Sequence, residues 1–360
     1  MVARISLPLL MLLLLDIPLG HTQEGRLRYR ADVFKRERVG RQVLQIFEGH
    51  VRFEQNQTKI SCDKAVQYVG LGKTILSGTV EINDKNRTLF ADTVYFYDRV
   101  KMEVAVGKVR VVADADTTTG NRMTYYEAQD SLVSEGDVEV ISPKEQTRLT
   151  GGYLSYNRAS GAGMVLKNPV LIQYDSLNTE MMRIVSDTLE TFEGGSHVRA
   201  IHNVDIKQAG IEATCGKADY FKPHGLVVLR DHPRAWQRNQ QISGDTLEIY
   251  LKESKLQRAR ALGHAITTSD ADTLNKGRWV NKLTGQRIDL YFVDEKLEKV
   301  IVADQATSVY HIIEDDQYKG ANEVSGDQIT LFLSAKGAVS RIHVESSPGS
   351  SNGKYKPPSI

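Results

Sequence analysis

"GTVEINDKNRTLFADTVYFYD", Gly78 to Asp98, holds two runs of alternating apolar residues around a polar turn. Val80 and Ile82 alternate with polar neighbours before the turn, and Val94 and Phe96 do so after it. Alternation with a period of two, rich in Val, Ile, Tyr and Thr, predicts strands rather than helices. The same layout begins 29 residues earlier with "GHVRFEQNQTKISCDKAVQY" at Gly49 and 29 residues later with "GKVRVVADADTTTGNRMTYY" at Gly107. It begins again as "GDVEV" at Gly136.

The second half of the unit reads as a small residue, Asp or a substitute, any residue, an apolar residue, two of any kind, and an aromatic. Nine segments fit: 62–68, 91–97, 120–126, 150–156, 186–192, 215–221, 244–250, 285–291 and 326–332. Their last residues, from Tyr68 to Phe332, are spaced by 29, 29, 30, 36, 29, 29, 41 and 41 residues. The first half continues more loosely at Asn168, Asn203, Asp231, Gly263 and Asp304, and "AVSRIHVE" (338–345) ends the array. A sustained internal period overrides a division into compact domains by length, because each unit buries its apolar face only against its neighbours.

Two strands and two turns in 29 residues leave roughly 10–12 residues per strand, against a usual ~5–6. A small or flexible position sits near the middle of each, "SG" at 77–78 and "AD" at 91–92. Glycine inside a strand marks a bend or bulge. The expectation is therefore all-β: an elongated, creased antiparallel sheet of about nineteen strands, folded across its middle. Parity assigns its faces. Val94 and Phe96, Met123 and Tyr125, and Leu247 and Ile249 point inward, while Thr246, Glu248, Arg287 and Asp289 point outward.

Residues 1–22 carry the pattern of a secretory signal peptide. Arg4 supplies the basic region, Leu7 to Leu15 an apolar run, and Asp16 and Pro18 its end. An uncleaved anchor is the alternative. A net charge of +1 gives no field for nucleic acid, and no basic patch is interleaved with aromatics, so no nucleic-acid partner is expected. Cys62 and Cys215 fall at the same small position of distant units, which argues against a disulfide between them. The Ser/Gly/Pro-rich tail, 346–360, reads as disordered.

The glycine–Val starts, the "AD…Y" second halves and the signal peptide together resemble the organic-solvent-tolerance family, OstA/LptA, over residues 27 to 345. The resemblance implies a β-jellyroll or "β-taco" repeat domain over 23–345, holding two or more stacked modules. It also implies a periplasmic location, an apolar groove for the acyl chains of lipopolysaccharide or a related lipid, and a part in carrying that lipid to the outer membrane. Its expected partners are other lipopolysaccharide-transport proteins, or a second copy, joined through edge strands. By parity and position the expected groove residues are Val94, Phe96, Met123, Tyr125, Val138, Val140, Tyr153, Val170, Ile172, Leu247 and Ile249.

Catalytic signatures are weak. Asp63, Asp92, Asp187, Asp245 and Asp327 share a repeat position, which in a solenoid could be a calcium ladder or a glycosidase pair. The row is broken by Asn121, Gly151, Gly216 and Gln286, and a solvated turn-forming role is expected. "ADADTTT" (113–119), with Asp114 and Asp116, reads the same way. The nine histidines show no ligand spacing, so no metal, no cofactor and no enzymatic activity are expected. The basic stretch 26–42 reads as a charged, aggregation-resistant edge strand, with contact to anionic headgroups as the sharper alternative. A structural or adhesive β-solenoid without lipid cargo is the competing function.

Overall fold

The computed structural model describes residues 27–84, 87–113, 115–208, 210–252, 255–272, 277–294, 296–314, 317–334, 339–348 and 351–358. The expected signal peptide and Asp114 lie outside these residues. The described chain is nearly all antiparallel strand. Contacts divide it into two compact units. The first holds residues up to Glu180 together with Asp187–Gly195, and the second holds Met181–Ser186 together with Ser196 onward.

Among the described residues there are 26 strands. Six passes are split in two at their middle, as in Leu226–Arg230 with Arg234–Gln237, so the strands make twenty passes. That is one more than the sequence period suggests. Each pass crosses a crease that divides the sheet into two facing leaves. In the first unit Lys73–Asn83 pairs with Thr58–Tyr68 and Arg87–Tyr97, and both ladders shift register at the crease.

The crease has a fixed backbone form. Two consecutive residues take left-handed φ values at 49–50, 78–79, 107–108, 136–137, 167–168, 202–203, 231–232, 263–264 and 304–305. Such a pair inserts one extra residue into its strand relative to the neighbour, and the strand bends there. The residue after the pair points into the fold. Val51, Val80, Val109, Ala265 and Ala306 are all 1% exposed or less. From there the apolar side of each leaf is buried: Leu76, Val94, Leu89 and Ile82 in the first unit, Leu229, Ala261, Ile288 and Ile329 in the second. Burying this stripe, at roughly 25 cal/mol per Å² of apolar surface, is the main force closing the leaves.

The outer face is less uniformly wet than parity suggests. Asp289 is buried there beneath Arg258, Arg260 and Arg287, whose nitrogens reach it at 2.7, 2.8 and 3.2 Å. Asp219 is buried likewise, with Arg199 at 2.7 Å, His197 at 2.8 Å and Arg230 at 2.9 Å. Several of the repeat's final aromatics, among them Tyr250, Tyr291 and Phe332, also lie on this face and alternate across the sheet with cations. Arg258 lies over Tyr250 and Tyr291, Lys299 over Tyr291, and Arg341 over Phe332.

The expectation of a disordered tail is corrected over Asn352–Lys356. These residues form a strand antiparallel to 321–325. Ser346 and Ser347 bind the backbone amide and carboxylate of Asp327, so the chain turns the crease once more. Lys356 then pairs with Glu323. Composition pointed to disorder because this strand buries nothing; it is held by edge hydrogen bonds, the Lys356–Glu323 pair and a hydrogen bond from the Tyr355 hydroxyl to the Lys319 carbonyl. Cys62 and Cys215 are both free and buried.

Candidate functional site

The second unit contains an apolar cleft between its two leaves. From the first leaf come Ile211, Ala235, Trp236 and Ile242; from the second come Leu247, Ile249, Leu256, Ala259, Leu290 and Phe292. The cleft's cavity volume is about 70 Å³, and the space between its walls reaches about 610 Å³ only when the open solvent at its mouth is included. The strands around it explain why it stays open. Arg234–Gln237 and Gln240–Ser243 form a short hairpin, and Thr246–Lys252 pairs with the start of Lys255–Asp270. Counted from the crease pair, Ala235 places a methyl group where the first unit carries Phe53, Ile82, Val111 and Val140.

Polar groups border the cleft without entering it as free charges. The Trp236 indole N–H donates to Gln241 Oε1 at 3.0 Å, and the Thr267 hydroxyl donates to the Gln241 carbonyl at 2.9 Å. Arg260 is held by Asp289 through its Nε. The site is therefore an apolar slot with an amide and indole rim, suited to an apolar chain.

The first unit differs. Its trough is filled near the crease by Val51, Val80, Val94 and Val109. At the leaf tips Arg87, on one leaf, faces Glu103 on the other, with Nη2 3.8 Å from Oε2. Asp84 Oδ2 lies 3.5 Å from Arg87 Nε. Both Arg87 and Glu103 are buried, and burial pushes the Glu103 carboxyl above its usual range, against the opposing pull of Arg87. A smaller hollow lies between Leu149, Leu154, Tyr156, Val165 and Leu189.

The expected groove residues fall into three sets. Val94, Phe96, Met123, Tyr125, Val138 and Val140 are buried in the first unit. Leu247 is buried and Ile249 half-buried on the wall of the second unit's cleft. Tyr153, Val170 and Ile172 do not face the trough as expected. Tyr153 pairs with Glu135, as the exposed Arg122 does, while Leu154 takes the inward place of Met123. Counted from the crease, Tyr156 is five residues beyond Gly151 whereas Tyr126 is six beyond Gly120, so Tyr156 corresponds to Tyr125, not Tyr126. Val170 and Ile172 pair with Thr150 and Arg148, while the inward Leu149 pairs with Leu171, which is 1% exposed. The crease pair here is Lys167–Asn168, so aligning Asn168 with the glycine position shifted the segment by one.

The acidic row stays dispersed at the outside of the crease. Asp63, Asp92, Asp187, Asp245 and Asp327 are all exposed. Ile211, Ala235, Trp236, Ile242, Leu256 and Phe292 were missed. The alternation in "RAWQRNQQIS" (234–243) was the available signal, outside the motif that anchored the repeat. Among the described residues no helix is long and apolar enough to cross a membrane.

No family model matches the chain, and no curated protein matches it. Among solved structures, LptH of Pseudomonas aeruginosa, the LptA-homologous periplasmic component of the lipopolysaccharide transport device, is similar over 41% of this chain and 95% of its own. The identity is 18% and the TM-score 0.31, too loose for the likeness to bear on what this chain does.

Proposed function

We propose that the chain is a non-catalytic lipid carrier. It holds an acyl chain of lipopolysaccharide or a related lipid in the second unit's cleft and carries it through the periplasm towards the outer membrane. The observation that supports this reading is the cleft itself: apolar on both walls, open at one side, and rimmed by polar groups of which the cation, Arg260, is paired with Asp289. An apolar tail gains by leaving water there, while a charged headgroup stays at the mouth. The family resemblance of the repeat points the same way.

Edge pairing is the proposed mode of association. The first pass, Arg28–Arg30 with Val33–Val39, pairs with Gln42–Gln55 on one side and has no strand on the other among the described residues. A free edge invites strand addition by a transport partner or a second copy.

The filled trough of the first unit favours a second reading, a structural β-solenoid without cargo. Mass spectrometry of lipids co-purifying from the native envelope separates the two. A carrier retains a lipid with acyl chains, and Ile249→Asp releases it while the fold persists. Purification with no bound lipid, or retention unchanged by Ile249→Asp, would favour the structural reading.

A further inference from the structure

Three hairpin turns of the first unit stack along one rim, at the tips of the second leaf. They are the turns at 39–42, 69–72 and 98–101, closed by the pairs Val39–Gln42, Tyr68–Lys73 and Tyr97–Met102. They touch in sequence. A Cβ on Gly70 would meet Gln42 Oε1 at 2.9 Å, the Asp98 amide donates to the Gly72 carbonyl at 2.9 Å, and Arg99 donates to the Gly70 carbonyl. The three turns therefore form one continuous ridge.

Each apex projects aliphatic side chains into solvent. Val39 is 61% exposed, Val69 49%, Leu71 46% and Val100 63%. Nothing in the packing requires them there, because the inward positions of these strands are filled by other residues. The next turns on the same rim are polar, with Ala128 and Gln129 at one and Arg158 and Ser160 at the next. The aliphatic stretch is thus confined to three neighbouring turns.

Each of these turns also carries a surplus positive charge. Residues 38–42 hold Arg38 and Arg41, and 68–73 hold Lys73, with no carboxylate in either. Residues 97–102 hold Arg99 and Lys101 against Asp98, with Lys101 3.6 Å from Glu127 of the next turn. The Asp98 carboxyl is pushed up by burial, with Lys101 opposing. Tyr95 and Tyr97 lie beneath Lys73, which is 5.5 and 5.3 Å from their rings. Projecting aliphatics beside cations and tyrosines match a bilayer interface. The aliphatics enter the acyl boundary, the rings sit at headgroup level, and the cations meet lipid phosphates.

We propose that this ridge is a docking surface for an anionic lipid bilayer, so that the first unit rests on a membrane by its turn tips. This surface is separate from the cleft and does not depend on the cleft holding lipid. The three-turn ridge would bind weakly and reversibly, and the dependence on anionic lipid follows from its cations.

The test uses the full chain and vesicles of phosphatidylcholine with or without about one third phosphatidylglycerol, the charge being the variable that the cations read. Flotation should recover the protein with the anionic vesicles. The combined variant Val69→Asp, Leu71→Asp, Val100→Asp should weaken that partition roughly tenfold or more, with an unchanged melting curve. Tryptophan placed by Val100→Trp should be quenched by brominated acyl chains in the same vesicles, while Ala128→Trp on the neighbouring polar turn should not. The second readout reports depth at the ridge, whatever else holds the chain to the vesicle. Equal quenching at both positions, quenching at neither, or partition unaffected by the triple substitution would overturn the proposal. Loss of self-association in the triple variant without loss of vesicle binding would overturn it too.

Discussion

The carboxylate of Asp92 fills the space that a side chain on Gly107 would need, with its Oδ2 2.3 Å from where a Cβ would stand. The same relation holds for Asp63 with Gly78, Asp32 with Gly49 and Asp245 with Gly263. Where the bulky residue moves to the other strand, the glycine moves too. A Cβ on Gly152 would strike Lys167 at 2.8 Å, and one on Gly216 would strike Asp231 at 2.6 Å. The gaps in the acidic row at Gly151–Gly152 and Gly216 are therefore exchanges across the crease. They preserve one large and one absent side chain per pair.

This exchange yields a double-mutant prediction. Gly107→Asp should destabilise the first unit by about 2–4 kcal/mol, combining left-handed strain with overpacking. Adding Asp92→Gly should recover about half of that loss, because the two sites couple directly. Urea melts of the single and double variants measure it. A double variant no more stable than Gly107→Asp alone would refute the exchange.

The facing of the strands can be tested at one adjacent pair. Val94 is fully buried between the leaves, while Thr93 lies half-buried on the other face. Val94→Asp should cost several kcal/mol, since it buries an unpaired charge. Thr93→Asp should cost under about 1 kcal/mol. Similar melting temperatures for the two variants would show the faces reversed.

The facing was legible in the sequence wherever the crease glycine survives, because Gly–x–Val fixes which residue turns inward. Val80, Val109 and Val138 all follow that rule. It failed where Lys167–Asn168 takes over the left-handed pair, since Asn168 marks the bend but is the second residue of the pair, not the first. Leu171 then took the place assigned to Ile172. The cleft was half legible: Leu247 and Ile249 follow from the repeat, but Trp236 depends on a short hairpin whose width the period does not encode. The buried outer carboxylates were not legible at all. Asp289 is buried only because Arg258, Arg260 and Arg287 arrive from different positions along the chain.

Asp219 should give a pH-dependent contribution. Burial alone would raise its carboxyl, but the hydrogen bonds from Arg199 and His197 and the charges of Arg199 and Lys217 hold it below the usual range. A depressed carboxylate stabilises the fold above its unfolded pKa and loses that contribution as pH falls through the folded one. Asp219→Asn should therefore cost about 3 kcal/mol at neutral pH, and the difference from wild type should shrink below pH ~4. A gap that stays constant from pH 7 to pH 3 would contradict this assignment.

The two thiols should be inert in the native state. Burial pushes Cys62 up to about 11 and Cys215 up to about 12, the charge of Asp63 adding to the first. Thiolate is the reactive form, so alkylation at pH 7.5 should be slow until the chain unfolds. Non-reducing digests should contain no peptide joining 62 to 215. Rapid native labelling at either position would show that its strand opens.

Arg87 and Glu103 place a buried charge pair across the mouth of the first unit's trough, and the geometry is poor for stability. Among the described residues none of Arg87's three nitrogens has a hydrogen-bond acceptor within reach, and its carboxylates stand off at 3.5 and 3.8 Å. Desolvating both ions is then only partly offset by their attraction. Removing one partner strands the other, so Arg87→Met should cost about 3–5 kcal/mol. Replacing both, Arg87→Met with Glu103→Leu, should restore wild-type stability or exceed it, because an apolar pair continues the stripe formed by Leu89 and Tyr125. Thermal melts of the three proteins decide the matter. If the double variant is as unstable as the single, the pair is worth more than its contacts suggest, and the trough's closure depends on charge rather than on its apolar lining.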